Sequence, residues 1–160
     1  MSQDTTTLDA LFAGFRLKDC LGPAAAKKRL ADEAKKNGEL NAAWRLLQEV
    51  KEHYLEHAIQ CKFTGEQTLA LDGSVSEAMA DILRLEARHD DALVHTLYCI
   101  ATSPQPTKCQ MRKLGAYLRR SRAAETSPQE VDRVIAEFRR NPNFQILQHA
   151  VFSWRSHGGA

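Results

Sequence analysis

The sequence of 160 residues predicts an all-α fold, with about seven helices packed into a compact bundle of two subdomains. Along most of the chain, apolar residues recur at spacings of three and four, as they do on one face of a helix. Helix-start patterns such as Ser127-Pro128-Gln129-Glu130 separate these stretches. No segment alternates apolar and polar residues in the manner of a half-buried strand. A hydrophobic content of 43% and a charged content of 26% suit a globular domain of this length.

The N-terminal subdomain is predicted to span residues 1–62. Residues 8–15, 23–37 and 40–61 each have the spacing or composition of a helix, and Gly or Pro punctuates the gaps between them. The stretch that follows has no clean apolar period. We therefore expect a loop over residues 63–74 that separates the two subdomains.

The C-terminal helical bundle is predicted to span residues 75–160. The pattern Ser74-x-x-Glu77 predicts its first helix start, and a break is expected at 89–91 with Asp90 as the cap of the continuing helix. Ser103-Pro-Gln-Pro106 is the clearest linker. Helices over 108–122 and 127–140 and a closing helix from Phe144 complete the bundle. On the helix 108–122, the residues expected to face the core are Met111, Leu114 and Leu118.

Composition excludes several classes of protein. The chain has no apolar run near the ~20 residues of a membrane span, and its polar start is unlike a signal peptide. The four cysteines (Cys20, Cys61, Cys99 and Cys109) form no Cys-x-x-Cys pair, so neither a zinc knuckle nor a disulfide framework is indicated. We expect a cytoplasmic protein without a cofactor or a membrane partner.

Charge is distributed unevenly along the chain. Residues 1–102 hold 12 Lys and Arg against 16 Asp and Glu, a net −4, whereas residues 103–160 hold 10 against 4, a net +6. Residues 103–124 contain no acidic residue at all. Because a solvated helix usually interleaves charges of both signs, this segment indicates a polyanionic partner.

The basic residues of the helix 108–122 fall into two rows at helical spacing. Neither row lies on the predicted core face. One row holds Lys108, Arg112, Arg119 and Arg122, and beside it run Lys113 and Arg120. A nucleic-acid backbone is the natural counterpart of such like charges, although a simply solvated face has the same composition.

Two patterns of catalytic or metal-binding type carry less weight. His53, His57 and Cys61 lie four residues apart on one helix, but the matching ligands of a partner helix are missing, so we predict no metal site. Arg88 and His95 resemble the Arg-x(4–6)-His element of the HEPN helical ribonucleases. No phosphate-binding glycine loop or nucleophile elbow occurs. We therefore predict a protein without catalytic residues.

An ordered set of phrases resembles the small subunit (CasB family) of Cascade, the type I-E CRISPR surveillance complex. The phrases are Ala-Lys-Lys-Arg-Leu at 26–30, Ala-Trp-Arg-Leu-Leu at 43–47, an Ala- and Leu-rich helix at 92–102, Lys-Leu-Gly-Ala-Tyr-Leu-Arg-Arg at 113–120, and a Ser, Val and Arg helix at 127–138 before Asn141-Pro-Asn143. The segment 62–88 departs from the family pattern, and Lys-Lys-Arg stands where an Arg pair is expected.

The resemblance implies an all-helical, non-catalytic subunit of an RNA-guided antiviral complex. Such subunits pack in more than one copy against the backbone subunits, the large subunit and each other. Their basic surface stabilises target DNA that the guide has opened, notably the displaced strand of the R-loop, and the crRNA is a possible further contact. Carried over to this sequence, the nucleic-acid-binding residues are Lys28, Arg29, Arg45, Lys113, Arg119, Arg120 and Arg133.

Two alternatives come from other functional classes. One is a helical adaptor that binds protein, since the hairpin at 36–44 resembles those of helical-repeat proteins, although no such period recurs. The other is a HEPN-like ribonuclease that relies on Arg88 and His95.

Overall fold

The structure is a computed structural model that describes residues 17–157, and in this range the chain forms seven α-helices and no strand. This confirms the predicted fold class. The predicted helix at 8–15 lies outside the described residues. The helices are α1 (Leu21–Lys36), α2 (Leu40–Gln60), α3 (Gly65–Leu85), α4 (His89–Thr102), α5 (Lys108–Arg120), α6 (Pro128–Arg140) and α7 (Phe144–His157). None of these helices is both long and apolar enough to cross a bilayer.

The loop predicted over residues 63–74 is wrong, because most of this segment is the first half of α3. Thr64 starts the helix with a complete capping box: its hydroxyl accepts the Gln67 N–H, and the Gln67 side chain accepts the Thr64 N–H. Ser74, predicted to be a cap, lies within the helix, where its Oγ donates to the Leu71 carbonyl at 2.6 Å. The subdomain boundary therefore cannot be a flexible linker at this position.

A break separates α3 from α4 as expected, but it lies at residues 86–88 instead of 89–91, and Asp90 does not cap the new helix. The chain turns at Ala87, whose φ is +60°, and Arg88 occupies the N-cap position, where its side chain accepts no capping hydrogen bond from the helix backbone. Asp90 lies in the first turn of α4. Its carboxylate accepts the backbone N–H of Arg122 at 3.0 Å, so it holds the end of the α5 region instead.

The Ser127 cap and the linker before α5 agree with prediction. Ser127 accepts the Glu130 N–H at 3.2 Å, with Pro128 as the first helical residue. Thr107, which follows the Pro-containing linker, starts α5 with a second complete capping box to Gln110.

Two hydrophobic clusters form the core, and α3 contributes to both. One cluster joins α1, α2 and α3, with Val50 and Ile82 fully buried. The other is built around α4, which packs against α3, α5, α6 and α7. Trp44 of α2 packs against both clusters. The basic helix α5 is thus mounted on the most buried helix of the described chain.

A polar network ties α2, α3 and α4 together. Lys51 Nζ donates to Asp72 Oδ2 at 3.1 Å and to Ser76 Oγ at 3.0 Å, and the Tyr98 hydroxyl donates to the same Asp72 oxygen at 2.6 Å. Burial, followed by the hydrogen bond to Asp72, raises the pKa of Tyr98. These groups satisfy one another, which fixes the relative position of the three helices.

Candidate nucleic-acid interface

Helix α5 presents one apolar face to α4 and a basic face to solvent. Leu114 and Tyr117 are buried and Leu118 is half-buried, whereas Met111, predicted to face the core, is 45% exposed. At 100° per residue, Met111 lies at the edge of the buried sector that Leu114 and Tyr117 define, and this explains the error. The opposite face carries Lys108, Arg112 and Arg119, and Arg120 lies at its edge; all four are exposed.

The cations of this face have no acidic partner among the described residues. No carboxylate in residues 17–157 lies within 4.0 Å of the side-chain nitrogens of Lys108, Arg112, Arg119 or Arg120, whereas eleven ion pairs form elsewhere in the same range. We call these four residues the α5 basic face. Their charges are available to a ligand at no cost of breaking an internal pair.

Small residues keep the α5 basic face open. Gly115 and Ala116 separate Arg112 from Arg119 along the helix. A Cβ at Gly115 would stand 3.4 Å from Arg119 Nη1, so the guanidinium lies back over the glycine. A side chain at position 115 would come into contact with this arginine.

Arg122, predicted to continue the row, is outside the helix. α5 ends at Arg120, and Ser121 forms its C-cap. Arg122 therefore lies in the following turn, where helical spacing no longer fixes the direction of its side chain. Its side chain is exposed, and its backbone N–H is held by Asp90.

Lys113, one of the predicted contacts, is paired within the molecule. Its Nζ forms a hydrogen-bonded ion pair with the Glu77 carboxylate of α3. The hydrogen bond to Glu77 and its charge raise the pKa of Lys113. This residue links α5 to α3 and is a weaker candidate for a phosphate contact.

Arg133 is paired even more completely. It donates to Glu130 through Nε at 2.9 Å and Nη2 at 2.7 Å, and to Glu137 through Nη1 at 3.3 Å. The hydrogen bonds from Arg133 and then from Trp154 lower the pKa of Glu130 to about 2. Two carboxylates offset the charge of this guanidinium, so Arg133 is also a weaker candidate.

The three N-terminal candidates lie on the other hydrophobic cluster. Lys28 on α1 is half-buried with its Nζ 5.9 Å from the centre of the Tyr54 ring. Arg29 on α1 and Arg45 on α2 are exposed, and no described carboxylate pairs with either. Neighbouring Lys27 is paired with Glu49. The seven predicted residues therefore do not form a single cluster of free charges.

Sequence spacing identified two residues that the family-derived set omits. Lys108 and Arg112 belong to the free α5 basic face, and the spacing of four and seven residues to Arg119 was the signal for them. The family-derived set instead took in Lys113 and Arg133, whose partners neutralise them.

The other predicted patterns are engaged in packing. The His95 ring is largely buried, with its centre 5.6 Å from that of Trp44 and 5.3 Å from that of Phe144, and Arg88 pairs with Asp91 at 2.8 Å. His57 contacts Cys61 Sγ at 3.8 Å, but no group of three or more His, Cys, Asp or Glu in residues 17–157 could hold a metal ion. Neither arrangement offers an open catalytic centre in this range.

Comparison with known protein families, with curated proteins and with solved structures finds no match for this chain.

Proposed function

We propose that this chain binds the phosphate backbone of nucleic acid through the α5 basic face, without reading base sequence. The observation that carries the proposal is the set of four exposed, unpaired cations on one helix, in a segment that lacks acidic residues. Lys and Arg attract phosphates of any sequence, so a face of this kind supplies affinity and position without base specificity.

The length of the basic face suits several phosphates. From Lys108 to Arg119, at a rise of 1.5 Å per residue, α5 extends about 16 Å. One strand of duplex DNA carries a phosphate every ~3.4 Å along the duplex axis, so α5 is long enough to lie beside more than one phosphate of a nucleic-acid strand. The rigid mounting of α5 on α4 keeps the cations in position before the ligand binds.

The finer assignment rests on the sequence resemblance alone. We propose that the nucleic acid is target DNA opened by an RNA guide, and that the chain is a non-catalytic small subunit packed against the backbone and large subunits of a CRISPR surveillance complex. When the guide pairs with its target, an RNA–DNA duplex replaces a DNA duplex of similar stability. Modest contacts to the backbone can therefore decide whether the target DNA stays open. Unpaired cations on a rigid helix supply such contacts.

The test measures binding of a fluorescein-labelled single DNA strand of mixed sequence by fluorescence anisotropy as salt is raised. Wild-type protein is expected to lose affinity with a log-log slope of about −0.7 for each phosphate contacted. The variant Arg119→Gln/Arg120→Gln is expected to flatten this slope by about 1.4, because two contacts are removed.

The matched control is Lys113→Gln/Arg133→Gln, which removes the same formal charge from residues that are already paired. Its slope is expected to stay at the wild-type value. Equal flattening in both variants would show that net charge, not the α5 basic face, governs binding. Absence of salt-dependent binding would overturn the proposal, and a protein partner that withstands both nuclease and high salt would favour the adaptor alternative.

A further inference from the structure

A cleft of about 690 Å³ opens between the first half of α3, the end of α4 and the end of α6. Its walls are mainly apolar, and the side chains that form them include Phe63, Leu69, Ala70, Ala101, Pro104 and Phe138. Clefts of about 300–1,000 Å³ with apolar walls and a few fixed polar groups are the usual form of small-ligand sites. None of the residues of the α5 basic face lines it.

Arg139 brings a fixed cation to this cleft. Its Nε donates to the Ala101 carbonyl at 3.2 Å, and its Nη2 donates to the carbonyls of Ile100 at 3.4 Å and Ser103 at 3.5 Å. These carbonyls belong to the C-terminal end of α4, so the guanidinium is held by backbone rather than by an acid.

The charge of Arg139 is not neutralised by a side chain. No carboxylate in residues 17–157 lies within 4.0 Å of its nitrogens, and its Nη1 has no hydrogen-bond partner in the same range. The one acid among the lining residues is Glu66, exposed on the first turn of α3. The cleft thus combines apolar walls, one cation with a free N–H edge, and a carboxylate on the α3 side.

We propose that this cleft binds a small amphiphilic carboxylate, with its apolar body against Phe63, Leu69 and Phe138 and its carboxylate on Arg139 Nη1. A neutral apolar ligand would leave the guanidinium edge unused. A ligand with several negative charges would meet repulsion from Glu66. A single carboxylate on an apolar body can pair with Arg139 and brings no further negative charge for Glu66 to repel. The site is independent of the proposed nucleic-acid surface.

Calorimetry measures the binding of two probes of equal chain length, decanoate and decanol, to the full chain. Each probe is kept below the concentration at which it aggregates. Decanoate is expected to bind more tightly than decanol by about two- to five-fold, the size of an exposed charge pair. Equal binding of the two probes, or binding of neither, overturns the proposal. If neither probe binds, the side chains of a protein partner would be the remaining candidate to occupy the cleft.

Three variants locate the site. Ala70→Trp places a large side chain in the cleft while Arg139 is kept, and it is expected to abolish binding of both probes. Arg139→Gln is expected to remove the preference for decanoate, whereas Arg140→Gln, one residue along and exposed, is expected to keep it. Circular dichroism checks that each variant is folded. Decanoate binding that survives Ala70→Trp, or equal effects of the two arginine variants, would overturn the assignment.

Discussion

At the scale of single residues, His95 is a largely buried titratable side chain. Its Nδ1 is buried without a hydrogen-bond partner among the described residues. Burial, followed by the positive charge of Lys51, lowers its pKa from the usual 6.5 to about 4, against the smaller opposite effect of Asp91. The neutral imidazole therefore belongs to the folded state.

This shift predicts that the protein loses stability as the pH falls from about 6.5 toward 4. In that window the unfolded chain binds a proton that the folded chain excludes, so the free energy of unfolding decreases with falling pH. Between neutral pH and about pH 5 the loss attributable to His95 is about 2 kcal/mol. Urea unfolding at the two pH values measures it.

Two variants isolate this effect from the titration of carboxylates. His95→Leu is expected to be less sensitive to pH than wild type by about this 2 kcal/mol. His149→Gln, at an exposed position on α7, is expected to keep the wild-type sensitivity. If His95→Leu loses as much stability on acidification as wild type, the account of His95 is wrong.

Whether a basic residue is paired or free depends on its neighbours in the fold. The sequence reveals only those neighbours that are also close along the chain. Arg133 has Glu130 three residues before it and Glu137 four residues after it, so its pairing could be predicted from helical spacing. The partner of Lys113 is Glu77, 36 residues away on another helix. Only the packing of α3 and α5 against α4 brings these two side chains together, so the sequence pattern could not separate Lys113 from the free cations.

At the scale of elements, α3 is where the sequence prediction failed. Leu69 and Leu71 of its first half are only half-buried and line a cleft, so no clear apolar stripe appears there. Gly65 and Gly73 also weaken the helical signal. The signal that was present is Thr64-x-x-Gln67, a capping pattern that begins the helix at the right position.

Gly73 is required where α3 crosses α4. A Cβ at this position would stand 1.9 Å from Thr102 Oγ1, and that hydroxyl is held by a 2.8 Å hydrogen bond to the Tyr98 carbonyl. Gly73→Ala is therefore expected to destabilise the protein by about 1–3 kcal/mol through overpacking. Thermal and urea unfolding measure the change.

Gly65→Ala is the matched control, because a Cβ there meets no atom within 4 Å. Its stability is expected to equal or slightly exceed that of wild type. Thr102→Ala combined with Gly73→Ala is expected to recover part of the loss, since the closest clashing atom is removed. A Gly73→Ala protein as stable as wild type would contradict the close packing of α3 on α4.

At the scale of the whole molecule, charge and packing divide the chain in different places. The acidic excess of residues 1–102 and the basic excess of residues 103–160 meet near the end of α4. The two hydrophobic clusters instead share α3. Helix α4 packs against α3, which precedes this charge boundary, and against α5, α6 and α7, which follow it. The basic helix is consequently not a detachable tail but part of the main core.

The account depends most on the claim that nucleic acid binds along α5. Amide chemical-shift perturbation measures this directly, with isotope-labelled full-length protein titrated with a single DNA strand at low salt. Shifts are expected to concentrate on residues 108–122 and to fade as salt is raised. Shifts that cluster instead on α1 and α2 around Lys28, Arg29 and Arg45, or that do not change with salt, would contradict the account.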